Sequence, residues 1–266
     1  MSIVFGALRD TIELVTDEPI LIVGALCFMI FASISLLFSW VPLVGPIISI
    51  AWVAVGLVGY TTMIDAAITR RGSLSGFIQG IIEHWGQAAK VHLSIAFIFS
   101  AVWTTTVYVS SSVFPIPTAR AGLDLITNPT LSPGLLLITG VFVAVYIPVV
   151  LLVVVQTLAC ASIVVRDVTG LKLIKKLIFE FFTTPGVMLG YTFARVIMII
   201  AGTSVGIVIF GWLTPGFSLS ITASYLFSEI YTVCHCRRRQ EMLEHKDVAT
   251  DSTELSNRQT TSSPKK

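Results

Sequence analysis

Apolar residues in this chain fall into long runs, and polar residues gather in the gaps between them. The runs lie at about 19–40, 47–67, 91–114, 134–164, 187–212 and 217–235. Nearly all reach the ~20 residues that a helix needs to cross a ~30 Å hydrocarbon core. Three shorter stretches, each just ahead of a run, have a different pattern. Residues 3–16 place Val4, Leu8, Ile12 and Val15 on one face, with Arg9, Asp10 and Glu13 opposite. Residues 73–86 carry an apolar stripe of Leu74, Phe77, Ile78, Ile81, Ile82 and Trp85. Residues 170–182 turn Leu171, Ile174, Ile178, Phe181 and Phe182 one way and Lys172, Lys175, Lys176 and Glu180 the other. The pattern predicts six transmembrane helices and three amphipathic helices lying at the membrane interface.

The segments between them agree. Val41-Pro42-Leu43-Val44-Gly45-Pro46 is an uncharged tight turn, and 115–133 is the one sizeable loop on its side. Asn128-Pro129-Thr130 in that loop is no glycosylation acceptor, because its middle residue is proline. Residues 1–239 form the membrane domain. From Gln240 the chain is polar, rich in Ser and Thr and without periodicity, so 240–266 is expected to be a short helical extension and then disorder.

The units repeat. The amphipathic stretches align without gaps on Leu8, Leu74 and Leu171, and nine residues later each has an acid: Asp17, Glu83 and Glu180. Those acids are expected on solvated faces. Thr62-Met63-Ile64-Asp65-Ala66-Ala67-Ile68 matches Thr157-Leu158-Ala159-Cys160-Ala161-Ser162-Ile163, each with an arginine eight residues past Met63 or Leu158. A threefold internal repeat follows, a common way of building membrane folds.

Composition points the same way. Hydrophobic residues make up 55% of the 266 and charged ones 12%, far below the ~25% charged content of soluble domains. Mean hydropathy is +0.88. Residues 1–17 mix Arg9 with Asp10, Glu13 and Asp17, and no small-residue cleavage site follows, so no cleavable signal peptide is expected. The four cysteines, Cys27, Cys160, Cys234 and Cys236, make no disulfide framework.

Charge sets the orientation. Arg9, Arg70, Arg71, Lys90, Arg166, Lys172, Lys175, Lys176 and Arg237–Arg239 fall on one side of the runs, and the other side has Arg120. The positive-inside rule then places both termini in the cytoplasm of a cell-membrane protein. These basic residues would meet anionic lipid headgroups at the cytoplasmic face.

A basic amphipathic helix ahead of a membrane hairpin recurs in RRGSLSGFIQGIIEHWG and SIVVRDVTGLKLIKKLIFEFFTTPGVMLGY. In this the chain resembles uncharacterised six-helix membrane proteins of haloarchaea. It is similar, more loosely, to YciC-type bacterial inner-membrane proteins and to the membrane domain fused to some glycerophosphodiester phosphodiesterases. The resemblance spans about residues 6–235 and implies a multi-pass membrane location, with no activity or site residues. No phosphodiesterase domain is expected among these residues, so that chemistry is not carried over.

Candidate chemistry is sparse. Arg195 lies about 15 Å along its run from Pro185, counting 1.5 Å per residue. A charge at that depth costs at least ~2.5–3.5 kcal/mol and calls for a partner. Glu229 sits at comparable depth on the last run and Asp65 near the end of the second, so Arg195, Glu229 and Asp65 form the candidate intramembrane polar site. A packing salt bridge, or an interfacial Arg195 that snorkels, is the plainer reading. Gly186-xxx-Gly190 and Gly202-xxx-Gly206 allow close helix approach. Cys234-His235-Cys236 offers metal-ligand types, but three consecutive helical residues cannot surround one tetrahedral ion. The motifs of zinc hydrolases, phosphate-binding loops, serine hydrolases and dinucleotide-binding folds are absent from the sequence.

The expected function is therefore a non-enzymatic multi-pass membrane protein in a structural, accessory or lipid-organising role. The alternative is a small transporter or channel component built around Arg195, Glu229 and Asp65. No cofactor, metal or nucleic acid is expected. The lipid bilayer is the expected partner, with a second copy of the chain or another membrane protein left open.

Overall fold

The computed structural model describes residues 2–38, 40–42, 44–69, 72–113, 151–152, 154–168, 170–210, 224 and 227–243. Among these residues every regular element is an α-helix. In chain order they are α1 (Ser2–Asp17), α2 (Ile20–Phe38), α3 (Gly45–Thr69) and α4 (Leu74–Val113). Then come α5 (Val154–Arg166), α6 (Gly170–Thr183), α7 (Pro185–Phe210) and α8 (227–243). The expected run 134–164 is described only from 151 onward, and 217–235 only at 224 and from 227 onward. The loop 115–133 and the tail beyond 243 lie outside the described residues.

Two helical stretches are each long and apolar enough to cross a membrane, Gly45–Thr69 and Pro185–Ser204. The number rises to four if two bent pairs each count as one span. Ile3–Asp17 turns by 94° into Ile20–Ser35, and Val154–Arg166 turns by 114° into Gly170–Thr183. Both bends have local causes. Pro19 follows the last turn of α1 and cannot extend its hydrogen-bond ladder. Between α5 and α6 the backbone passes through positive φ at Asp167 (49°) and Gly170 (63°). Glycine adopts that region without strain, and aspartate is among the few other residues that tolerate it.

The second amphipathic stretch departs from expectation. It is not a separate interfacial helix, because α4 runs unbroken through 73–86 and into the third apolar run, a length of about 60 Å. The reason lies in the junctions. Pro19 separates α1 from α2, and Pro185 opens α7 after α6. The matching position of α4 reads Gly86-Gln87-Ala88-Ala89, with two strong helix formers and no proline.

The first half of α4 lies along α3 instead. A Cβ on Gly59 would come within 2.8 Å of both the Phe77 carbonyl oxygen and Ile81 Cγ1, and one on Gly80 would run into Thr62. The two backbones approach this closely because both positions lack a side chain. Gly76-xxx-Gly80 thus forms a small-residue contact with α3. The α2–α3 hairpin is fastened near its turn. Trp52 donates its indole N–H to the Phe31 carbonyl at 2.8 Å, its ring stacks on Phe31 at 4.3 Å, and Ser49 donates to the Ser35 carbonyl at 2.8 Å.

Each amphipathic stretch has an inward apolar face and an outward one. In α4, Phe77 is buried while Leu74, Ile78, Ile82 and Trp85 are exposed along one stripe. In α1, Ala7 and Thr11 are buried while Phe5 and Ile12 are exposed. In α6, Leu173, Ile174 and Leu177 are buried, and Leu171, Phe179 and Phe182 are exposed.

If α3 and α4 depend on their glycines for close approach, Gly80→Leu overpacks the crossing and destabilises the protein by about 1–3 kcal/mol. A Cβ on Gly86 meets nothing within 4 Å, so Gly86→Ala is neutral or stabilising by up to ~1 kcal/mol through helix propensity. Unfolding in detergent followed by circular dichroism separates the two; equal effects would contradict the crossing.

Candidate functional site

Nine consecutive residues of α8, 228–236, are buried. A helix enclosed on all sides is a central one, and this one brings polar groups with it: Ser228, Glu229, Thr232 and, further along, Arg237, Arg238 and Arg239. Around it stand α1, α3, α6 and α7, each supplying a partner, and α5, which joins the network through Tyr191 of α7 and Glu180 of α6.

The deepest pair joins α7 to α8. Arg195 is 4% exposed and Glu229 0%, and one guanidinium nitrogen of Arg195 bonds to Glu229 Oε1. Arg195 also donates from Nε to Ser228 Oγ at 3.2 Å and from Nη1 to the Tyr191 hydroxyl oxygen at 3.0 Å. Tyr191 Oη lies 2.9 Å from Thr232 Oγ1 and 3.5 Å from Thr157 Oγ1 of α5. Its ring stacks on Tyr231 at 5.7 Å and lies 4.8 Å from that of His235. Tyr191 and Arg195 are four residues apart, so they share one face of α7 and reach the same partner helix.

Nearer the end of α8, each of three consecutive arginines finds its own carboxylate. Arg237 grips Asp65 of α3 with Nε–Oδ1 and Nη2–Oδ2 at 2.6 and 2.7 Å. Arg238 forms the same two-pronged pair with Asp10 of α1, its Nη2 reaching Oδ1 at 2.7 Å. Arg239 approaches Glu180 of α6 at 3.4 Å and donates to Thr184 Oγ1 at 2.8 Å. Glu180 also accepts from Arg166 of α5 at 2.8 and 3.0 Å. Consecutive helical residues point about 100° apart, so the three arginines fan out toward three different helices. Burial lowers the Arg239 pKa and the nearby Glu180 carboxylate raises it in part; a guanidinium stays charged in any case.

The sequence-derived site is thus divided. Arg195 and Glu229 meet, whereas Asp65 is held by Arg237. One expectation is corrected. Glu180 does not sit on a solvated face: it is 8% exposed, because it continues the buried Leu173–Leu177 row by one turn. Arg237, Arg238 and Arg239 each also engage a carboxylate within the chain. Tyr191 and Thr232 carry no signal in the sequence, and Arg166 reads there as a topological charge rather than as the partner of Glu180.

The Cys-His-Cys stretch spreads in the same fan. Cys234 lies toward Thr11 of α1, His235 beside Tyr191 and Tyr231, and Cys236 toward Ser162 of α5. Among the described residues no three His, Cys, Asp or Glu side chains are grouped to hold a metal ion.

The described fold is that of an all-helical protein whose apolar helices are compatible with membrane insertion. No family model, curated protein or solved structure matches the chain.

Removing one member of a buried ion pair strands the other, at a cost of about 3–5 kcal/mol, whereas replacing both with apolar residues is often neutral. Arg195→Met and Glu229→Met are each expected to destabilise by that amount, and the double variant to recover most of it. Unfolding free energies of the four proteins give the coupling; additive losses would show that the pair does not act as a unit.

Proposed function

We propose that the chain is an integral protein of the cell membrane with six crossings and both termini in the cytoplasm. Its role is non-enzymatic: structural, accessory or lipid-organising, with α8 as the central pillar. The observation that carries this reading is the commitment of the Arg195 guanidinium to Glu229, Ser228 and Tyr191 of the same chain. A charge that receives a solute keeps donors turned toward an open path, whereas Arg195 turns its donors to α8 and to Tyr191 of its own helix. The rival reading, a transporter or channel component, requires Arg195, Glu229 and Asp65 around one cavity, and Asp65 is engaged elsewhere.

The topology rests on sorted charge, with basic residues concentrated in alternate gaps between the apolar runs. Bends of 94° and 114° at α1 and α6 are the angles that in-plane helices make with crossing ones. Their exposed Phe5, Ile12, Phe179 and Phe182 suit insertion among acyl chains. The repeat is proposed in modified form: the first and third copies break at a proline, and the second runs on as α4.

Two measurements bear on this. A reporter at Gly122 is expected on the non-cytoplasmic side; a cytoplasmic reading would remove the six-crossing topology. Purified protein in liposomes is expected to pass protons and small ions no faster than protein-free vesicles. A flux that Arg195→Gln or Glu229→Gln abolishes would replace the scaffold reading with a transport one.

A further inference from the structure

Cys234-His235-Cys236 is the stretch that suggests a metal in sequence, yet a histidine and a cysteine meet elsewhere, across two helices. His92 of α4 is 5% exposed and Cys160 of α5 is 0% exposed. The two are 68 residues apart in the chain, and His92 Nε2 lies 3.8 Å from Cys160 Sγ. The other buried thiols, Cys234 and Cys236, lie toward the hydroxyls of Thr11 and Ser162 instead.

The far side of the imidazole fixes its tautomer. Nδ1 lies 3.0 Å from the Ala88 carbonyl oxygen. A carbonyl can only accept, so Nδ1 carries the hydrogen and Nε2 presents a lone pair to the sulfur. A histidine that ligates a metal is usually held this way, its second nitrogen donating to a carbonyl or carboxylate. A cavity of about 250 Å³ is lined by His92, Ala54, Leu57 and the exposed Gln156. The imidazole therefore has open space on one side.

The donors select the ion. A thiolate and an imidazole on opposite sides of one ion stand roughly 4.3 Å apart, from bonds of about 2.3 and 2.0 Å. The pair reaches that from 3.8 Å with a shift of about 0.5 Å. Thiolate, neutral imidazole and a monovalent cation sum to zero charge, which a buried site holds without a counter-ion. A divalent ion would leave one positive charge buried. Zinc also takes four ligands, and among the described residues no third His, Cys, Asp or Glu joins the pair. Thiolate is the soft donor that favours copper(I).

We propose that His92 and Cys160 bind one copper(I) ion between them in a two-coordinate site. As the copper–sulfur bond forms, the thiol proton passes to solvent and copper keeps its oxidation state. The proposal goes beyond the scaffold reading and does not depend on how the chain is oriented in a membrane.

The test is a competition, under ascorbate, between the detergent-solubilised full chain and a coloured copper(I) chelator. Replacing Cys27, Cys234 and Cys236 by alanine leaves Cys160 as the sole thiol. One ion per chain is expected, with X-ray absorption showing one sulfur and one nitrogen neighbour. Cys160→Ser and His92→Gln are each expected to weaken binding more than ~100-fold, beyond the ~10–100-fold cost of losing a group that merely orients a ligand. Zinc(II) is expected to bind far more weakly. Wild type loaded with one equivalent of copper(I) should give the same absorption spectrum, so the result does not hang on the folding of any variant. A wild-type spectrum with two sulfurs or no nitrogen overturns the proposal. So does loss of all copper to the chelator, zinc bound as tightly as copper(I), or a His92→Gln protein of unchanged melting temperature that keeps its copper affinity.

Discussion

A charged side chain in an apolar interior has to be paired, and in this protein the pairing is concentrated on one helix. Along one stretch of α8 lie Glu229, Thr232, Arg237, Arg238 and Arg239, whose partners belong to α7, α3, α1 and α6. Each contact is local, yet together they tie segments that are distant in sequence: Asp10 and Arg238 are bridged across nearly the whole described chain. In lipid, helices gain little from the hydrophobic effect itself, so shape-matched packing and polar pairing select their neighbours. Ion pairs and hydrogen bonds discriminate because a misplaced helix strands a charge.

The packing around α8 follows from that constraint. α3 presents buried Ala54, Leu57, Val58 and Met63 inward and, through Gly59, admits α4 at close range. α7 presents Tyr191 and Arg195 to α8 and leaves Leu189, Phe193, Val196 and Ile200 exposed. The outward faces of α1, α4 and α6 are apolar as well, a surface arrangement that suits hydrocarbon rather than water. Polarity therefore sits inside, on the α8 seam, and around the rim.

Much of this was legible in the sequence and some was not, for identifiable reasons. The helical class and the apolar runs could be read directly, because run length and periodicity are local properties. Arg195 and Glu229 could be picked out by depth alone, since an isolated charge there is costly. Their pairing needed the structure, as did the diversion of Asp65 to Arg237, because separation along the chain says nothing about which helices touch. Glu180 falls on the wet face when the apolar row runs through Leu171 and Ile178. The face that packs is Leu173, Ile174 and Leu177, and a helix with two apolar faces offers no local clue as to which is inward. The unbroken α4 was legible in principle: the junction residues Gly86-Gln87-Ala88-Ala89 lack the proline found in the other two units.

α8 holds its neighbours through specific charge pairs. The most direct measurement is a charge exchange at the Asp65–Arg237 contact, read as melting temperature of the purified chain. Asp65→Arg alone places two guanidinium groups together and should lower the melting point clearly; adding Arg237→Asp should restore most of the loss. A double variant no more stable than Asp65→Arg would contradict the pairing and, with it, the central place given to α8.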